Sequence, residues 1–219
     1  MINIQQWMKQ YQAVVCRLFG SRVLFIGLQG SYGRNEAHET SDIDVVMILD
    51  TVSLSDLKQY KQAIDTLPES SQICGFVSGK EELAGWYRAD LFQFYHDTTP
   101  YYGSLDSILP EISNADARNA VWMGACNLYH MCSHNYLHSG HMETVKALYK
   151  SAAFVLQAKH YAETGSYVRS HIALEQALTG ADLEILQCAR QLQSADISQV
   201  SLDQFSERML QWAQKLIVH

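Results

Sequence analysis

The stretch GLQGSYGRNEAHETSDIDVVMILD, which spans Gly27–Asp50, contains the pattern that decides the fold of this chain. Gly30 and Ser31 follow one apolar segment, and after ten intervening residues Asp42 and Asp44 mark the start of another. Side chains at positions i and i+2 of a strand point to the same face, so both carboxylates would project together. A buried strand gains nothing from such a pair, and the pattern therefore predicts a binding site.

The chemistry of these residues favours a metal ion held beside a phosphate chain. Asp42 and Asp44 offer the oxygen ligands that Mg²⁺ prefers, and Mg²⁺ commonly binds phosphate oxygens at the same time. The Gly30–Ser31 turn would direct backbone N–H groups and a hydroxyl at the phosphates. Arg34 would add a charge-assisted hydrogen bond. Together these features indicate phosphoryl or nucleotidyl transfer. In a purely structural interpretation, Asp42 and Asp44 would only cap a turn.

The segment Gly30–Asp50 resembles the signature of the polymerase-β-like nucleotidyltransferase superfamily. In that signature a Gly-Ser pair precedes a spacer with Arg and often Glu-Ala, and Ser-Asp-Ile-Asp then leads into an apolar strand. The matching residues are Gly30, Ser31, Arg34, Glu36, Ala37, Ser41, Asp42, Ile43 and Asp44. Within the superfamily the chain looks like kanamycin-type antibiotic nucleotidyltransferases, and like minimal nucleotidyltransferases associated with helical domains.

The resemblance implies a Mg²⁺-dependent enzyme that transfers a nucleoside monophosphate, AMP from ATP, to a hydroxyl of a small acceptor such as an aminoglycoside-like compound. It implies two Mg²⁺ ions held by Asp42, Asp44 and a third carboxylate on a neighbouring strand. The candidate is Asp90, at the start of the run LFQFY, and Asp97 at its other end is the alternative. The implied nucleotide-binding residues are Gly30, Ser31, Arg34 and Ser41.

Two other functions fit the same residues. One is modification of a macromolecule, such as adenylylation of a protein side chain. The other is a non-catalytic nucleotide-binding or antitoxin-like module that acts by docking to a partner. The intact Asp42–Asp44 pair argues against a degenerate site, while the two alternatives for the third carboxylate keep the docking module in consideration.

The chain divides into two parts with different sequence patterns, and together they predict an α+β protein. For residues 1–110 we expect a nucleotidyltransferase domain, a mixed sheet with flanking helices: helices over 3–18 and 55–67, strands over 23–29, 43–49, 72–77 and 91–95. For residues 111–219 the apolar period is helical, and we expect a bundle that forms the acceptor-binding wall, with helices over 114–139, 141–164, 167–178, 181–193 and 201–217.

Composition restricts the partners and the compartment. Hydrophobic residues make up 47% of the 219 residues and charged residues 18%, which is typical of a globular protein. The net charge of −7 and the dispersed Lys and Arg residues argue against long nucleic acid as a partner. The sequence shows neither a signal peptide nor an apolar run long enough for a membrane span, so we expect a cytoplasmic protein without a membrane partner. A homodimer is compatible with this sequence.

Cysteines and histidines are the remaining side chains of this sequence that could bind a metal. The five cysteines have no CxxC spacing and fit reduced, structural thiols. His130, His134 and His138 are four residues apart and share a helix face from which Cys132 would point away. Such spacing suits zinc, but without a second ligand cluster we expect these histidines to pack, face water or line a substrate pocket.

Overall fold

The computed structural model describes residues 2–194 and 201–218. The α-helices are α1 Ile4–Phe19, α2 Gly30–Gly33, α3 Leu54–Ile64, α4 Lys80–Ala84, α5 Arg88–Asp97, α6 Asn114–His134, α7 Met142–Thr164, α8 His171–Ala177, α9 Gly180–Ser194 and α10 Leu202–Val218. The strands are β1 Val23–Leu28, β2 Ile43–Leu49, β3 Ile73–Gly79 and β4 Thr99–Tyr102. A π-helical turn, Asn135–Ser139, continues α6.

The chain forms two compact units, and one short segment that interrupts the first unit in sequence belongs to the second. The first unit consists of the described residues up to Tyr87 together with Phe94–Ile112. The second consists of Arg88–Gln93 and the described residues from Ser113 onward. Helix α5 therefore begins in the second unit and ends in the first.

The sheet of the first unit has four strands in the order β3-β2-β1-β4. Strand β1 runs antiparallel to β2 and to β4, whereas β2 and β3 are parallel, with Asp44 opposite Cys74. Most side chains of β1 and β2 are buried, as expected for the two strands in the middle of a covered sheet. This mixed sheet, followed by helices, confirms the α+β fold class.

Helix α1 covers the sheet with a one-sided apolar face. Its buried residues recur at helical spacing and are Trp7, Met8, Tyr11, Val15 and Phe19. The side chain of Asn3 accepts a hydrogen bond from the Gln6 backbone N–H and caps the start of the helix. Tyr11 and Tyr60 share a buried hydrogen bond of 2.8 Å between their hydroxyls, which joins α1 to α3.

The predicted strand over 91–95 is wrong, because these residues lie in α5. Phe92 contacts Tyr161 and Tyr167 in the second unit, whereas Phe94 contacts Phe76 in the first. The helix thus buries side chains on more than one face, and the sequence lacks the one-sided period of a surface helix. The fourth strand is β4, which pairs with β1 at the edge of the sheet. An edge strand tolerates a proline, and β4 contains Pro100.

The second unit is helical, and its helices confirm the bundle expected from the periodicity. Helices α6 to α10 enclose a core that includes Leu128, Tyr149, Leu156, Ile185 and Trp212. The π-helical turn after α6 ends at Gly140, and α7 ends at Gly165. None of the helices within the described residues combines the length and the apolar character needed to cross a membrane.

Candidate functional site

The turn between β1 and α2 brings Gly30 to the side chain of Asp44. The Gln29 N–H donates to the Asp44 carbonyl oxygen over 2.8 Å, which fixes the end of β1 against the start of β2. Gly30 has φ +64°, a left-handed conformation that L-residues rarely adopt, and a Cβ placed on it would overlap the Asp44 carboxylate. Both the backbone angle and the missing side chain are therefore required at this position.

Helix α2 is a single turn that places Ser31 directly after Gly30. The Gly33 N–H donates to the Gln29 carbonyl at 3.0 Å, and the Glu36 N–H donates to the Ser31 carbonyl at 2.8 Å. Buried Tyr32 anchors the turn in the core of the first unit. The structure thus places Gly30 against the Asp44 side chain, with Ser31 next to it in the same turn.

Cys74 completes the group at the start of the two parallel strands. It lies opposite Asp44 in the β2/β3 register and is solvent-exposed. Desolvation and the negative charges of Asp44 and Asp42 raise the pKa of its thiol, as does a hydrogen bond to Asp44. Because the thiol is then protonated at neutral pH, its S–H donates to the Asp44 carboxylate.

Cys74 is not among the site residues predicted from the sequence, because the sequence does not show which strand pairs with β2 or in what register. The strand neighbouring Asp44 carries this thiol where the resemblance implies a carboxylate. A parallel β2/β3 pair joined by α3 would have pointed to a residue near the start of β3.

The donor set fits Mg²⁺ bound together with a nucleotide. Asp42 is exposed and Asp44 partly buried, and both carboxylates lie close to the Cys74 thiol. Among residues 2–194 and 201–218, no three His, Cys, Asp or Glu side chains are grouped to hold a metal alone. Mg²⁺ is usually bound by one or two carboxylates, with phosphate oxygens and water as the remaining ligands, and these two aspartates meet that requirement.

Arg34 is engaged within the first unit. Its guanidinium lies 3.4 Å from a carboxylate oxygen of Glu36 and 3.4 Å from one of Asp97, and 9% of its side chain is exposed. Asp97 is itself buried. Arg34 thus ties the loop after α2 to the end of α5, and its predicted contact with phosphate stays a prediction.

Ser41 has a structural role in the loop before β2. It is buried, its hydroxyl accepts a hydrogen bond from the His38 N–H at 2.9 Å, and its own N–H donates to the His38 carbonyl at 3.0 Å. These bonds shape the approach of the chain to Asp42. A contact of Ser41 with nucleotide stays a prediction.

Asp90 lies in the first turn of α5 and belongs to the second unit. It is exposed and lines a cavity there, on a helix instead of a strand. Asp90 was predicted as the third carboxylate because it precedes residues 91–95, which were expected to form a strand. These residues are helical, so Asp90 does not lie at the start of a strand. Its role as a metal ligand, and that of Asp97, stay predictions.

The histidines of α6 and of the π-helical turn that follows it form a column of exposed rings. The ring centroids of His130 and His134 are 6.1 Å apart, and those of His134 and His138 are 4.6 Å apart. Cys132 is fully buried, which confirms that it points away from this face.

Comparison with known proteins identifies the first part of the chain. Residues 8–84 match the family model of the nucleotidyltransferase domain. This match confirms the resemblance inferred from the sequence. A search of curated protein sequences gave no match.

One solved structure supports the fold over nearly the whole chain. Spectinomycin adenyltransferase AAD(9) from Enterococcus faecialis, crystallised with ATP and spectinomycin, superposes with a TM-score of 0.63 at 13% identity, over 97% of this chain and 98% of that one. At this identity the likeness indicates a shared fold. The cyclic dinucleotide synthase CdnE from Elizabethkingia meningoseptica, with GTP and an ATP analogue, covers 95% of this chain and 74% of its own, with 16% identity and a TM-score of 0.28.

Proposed function

We propose that this protein is a Mg²⁺-dependent nucleotidyltransferase that moves AMP from ATP to a hydroxyl of a small acceptor. The observation that supports this proposal is the contact of Gly30 with Asp44 in a nucleotidyltransferase domain. A glycine turn and a carboxylate in contact provide adjoining places for a phosphate chain and a cation. The AAD(9) structure, which contains ATP and spectinomycin, suggests an aminoglycoside-like acceptor.

In the proposed reaction the acceptor hydroxyl oxygen attacks the α-phosphorus of ATP. A bond forms between that oxygen and phosphorus, the bond to the oxygen that bridges the α- and β-phosphates breaks, pyrophosphate leaves, and the hydroxyl proton passes to solvent water. Asp42 and Asp44 would hold Mg²⁺, two ions as the resemblance implies. Bound Mg²⁺ supplies charge neutralisation for the triphosphate and for the departing pyrophosphate.

The residues of the chain contribute mainly by positioning. Gly30 leaves room beside Asp44, and the N–H groups of the turn at Gly30 and Ser31 would orient the phosphates. The Asp44 backbone is held by Gln29, so its carboxylate is fixed relative to this turn. Such preorganisation lowers the entropic cost of aligning the reacting groups.

One observation favours a second candidate, a nucleotide-binding module without transfer activity. Opposite Asp44, β3 presents the Cys74 thiol, and this part of β3 brings no carboxylate to the pair. With two strand carboxylates the protein would still bind a metal–nucleotide complex, but it would activate an acceptor hydroxyl less well.

Calorimetric titration with a non-hydrolysable ATP analogue, with and without Mg²⁺, tests the proposal. We expect Mg²⁺-dependent binding that Asp44→Asn weakens at least about tenfold, about 1.4 kcal/mol. Asp50→Asn removes the same charge at the other end of β2, where Asp50 pairs with Arg22, and serves as the matched control. Absence of binding in the wild type would reject nucleotide transfer from ATP. Transfer of label from [α-³²P]ATP to acceptors then separates the enzyme from the binding module.

A further inference from the structure

The second unit contains a cavity of its own, with a volume of about 340 Å³. Its walls come from the first turns of α5, the middle of α6 and the middle of α7. The surface is mostly apolar and includes Met123, Met131 and Phe154. A volume of this size accommodates a small organic molecule.

The charge of the cavity comes from one side chain. Among the described residues that line it, Asp90 is the single ionisable group, and the other polar groups are the amides of Gln93 and Asn127 and the hydroxyl of Ser151. Asp90 has no ion-pair partner within residues 2–194 and 201–218. The cavity therefore has an apolar surface and one carboxylate.

The second unit holds Asp90 in a fixed place. Arg88, two residues earlier, forms a bidentate ion pair with Asp116 of α6, with N–O distances of 3.0 and 2.7 Å. Phe92, two residues later, is fully buried, and its ring centroid lies 5.1 Å from that of Tyr161. These two contacts fix the first turns of α5 on both sides of Asp90.

The polar neighbours of Asp90 are also oriented. Gln93, one helical turn away, donates from its side-chain amide to the Tyr167 hydroxyl at 2.8 Å. Its carbonyl oxygen is then the acceptor that this amide offers. A carboxylate and an amide oxygen one turn apart on a helix are suited to an ammonium group, which has three N–H donors.

Close packing of α6 and α7 forms the apolar part of the cavity. A Cβ on Gly124 would come within 2.5 Å of a Val155 methyl carbon, so the two helices can approach this closely only because residue 124 is glycine. Both residues line the cavity. The apolar wall is thus part of the helix packing and is present without a ligand.

We propose that this cavity binds a small organic ammonium ion with an apolar body, its amine held by Asp90 and its body placed against Met123, Met131 and Phe154. Mg²⁺ keeps several bound waters, and a mostly apolar wall around one carboxylate gives those waters few hydrogen-bond partners. A polyhydroxylated compound would leave most of its hydroxyls without partners on this surface. The proposal does not depend on nucleotide transfer, and it gives Asp90 a role other than the metal binding implied by the resemblance.

Methyl NMR of protein labelled with ¹³C-methyl methionine tests this site directly, because two of its wall residues are methionines. The probe is phenethylammonium, and the uncharged 2-phenylethanol has a similar body. We expect phenethylammonium to shift the Met123 and Met131 resonances, assigned through Met→Leu variants, and 2-phenylethanol to bind about tenfold more weakly. If both probes bind equally well, or if neither shifts these resonances, the proposal is wrong.

Variants of Asp90 test its part in the site. We expect Asp90→Asn to weaken phenethylammonium binding about tenfold, and Asp90→Glu to retain most of it. Glu143→Gln removes one exposed charge from α7, outside the cavity lining, and should leave binding unchanged. Wild-type affinity in Asp90→Asn, with the spectrum of a folded protein, would overturn the assignment.

The test also separates this site from the proposed nucleotide site. Asp44→Asn should weaken Mg²⁺-dependent binding of the ATP analogue at least about tenfold and leave phenethylammonium binding unchanged. Asp90→Asn should weaken phenethylammonium binding about tenfold and leave binding of the ATP analogue unchanged. If Asp90→Asn loses binding of the ATP analogue, Asp90 is a ligand of the metal, and its proposed role in ammonium binding is wrong. Displacement of phenethylammonium by Mg²⁺ alone would lead to the same rejection.

Discussion

The absent side chain of Gly30 and the carboxylate of Asp44 occupy adjoining space, so that any Cβ at residue 30 would collide with Asp44 Oδ2. The glycine and the aspartate are fourteen residues apart in sequence and are joined by the Gln29–Asp44 backbone hydrogen bond. A change at either residue therefore acts on the other.

Gly30→Ala tests this relationship. We expect it to lower the free energy of unfolding by about 2–3 kcal/mol, from the left-handed backbone and the collision together, and to weaken Mg²⁺-dependent binding of an ATP analogue. Gly165→Ala is the matched control, since Gly165 is left-handed with φ +74° and no atom lies within 4 Å of the place that a Cβ would take there. It should cost only about 1–2 kcal/mol and leave binding intact. If urea denaturation gives the same loss of unfolding free energy for Gly30→Ala and for the control variant, the collision with Asp44 does not contribute to stability.

Cys74→Asp would place a third carboxylate opposite Asp44. Without Mg²⁺ we expect a melting temperature a few degrees below the wild type, because like charges on adjacent strands repel. With Mg²⁺ we expect a larger rise in melting temperature than in the wild type, because more oxygen ligands surround the ion. Cys74→Ser is the neutral control and should follow the wild type. A Mg²⁺ response identical in all three proteins would argue that β3 does not face the metal.

Arg34→Met should destabilise the first unit by about 1–3 kcal/mol, since it removes the cation that pairs with Glu36 and with buried Asp97. Urea denaturation gives this value. Arg17→Met removes an exposed arginine from α1 and should change stability by less than about 0.5 kcal/mol. If the stability of Arg34→Met is unchanged while binding of the ATP analogue falls, Arg34 acts on phosphate rather than on the fold.

Asp56 should make the stability of the first unit depend on pH. Hydrogen bonds from Arg22, and then from Ser53, hold the pKa of this carboxyl well below its ordinary value. A carboxyl with a lowered folded-state pKa stabilises the fold above its unfolded pKa of about 4 and loses that effect as pH falls toward the folded value. We therefore expect the urea midpoint of the wild type to exceed that of Asp56→Asn at neutral pH, and the gap to close in acid. A gap that is independent of pH would rule out this linkage.

Elements with a strong local pattern were predictable from the sequence. Strand β2 has the predicted bounds, because its apolar run begins directly after Asp42 and ends at the polar residues after Leu49. The Gly30–Asp44 contact follows from a glycine turn and a strand start that face one another. The bundle was predictable from its period and from glycines such as Gly140 and Gly165, where helical segments end.

Features that depend on tertiary contacts were not predictable. LFQFY has the β-branched and aromatic character of a strand only in part, and burial on more than one face selects the helix instead. Strand β4 contains Pro100, which argues against a central strand and is accepted here at the edge. The place of Cys74 beside Asp44 requires the strand order, which no local pattern specifies.

The division of α5 between the two units has a consequence for synthesis on the ribosome. Residues Arg88–Gln93 are translated before Ser113 and all that follows, yet Phe92 packs against Tyr161 and Tyr167. At about 5–20 residues per second, this partner surface follows Phe92 by about 3–14 s. Within that interval the first unit is completed at Ile112, while Phe92 still lacks the aromatic partners against which it packs. We expect the nascent chain to be most prone to chaperone binding or misfolding in this window.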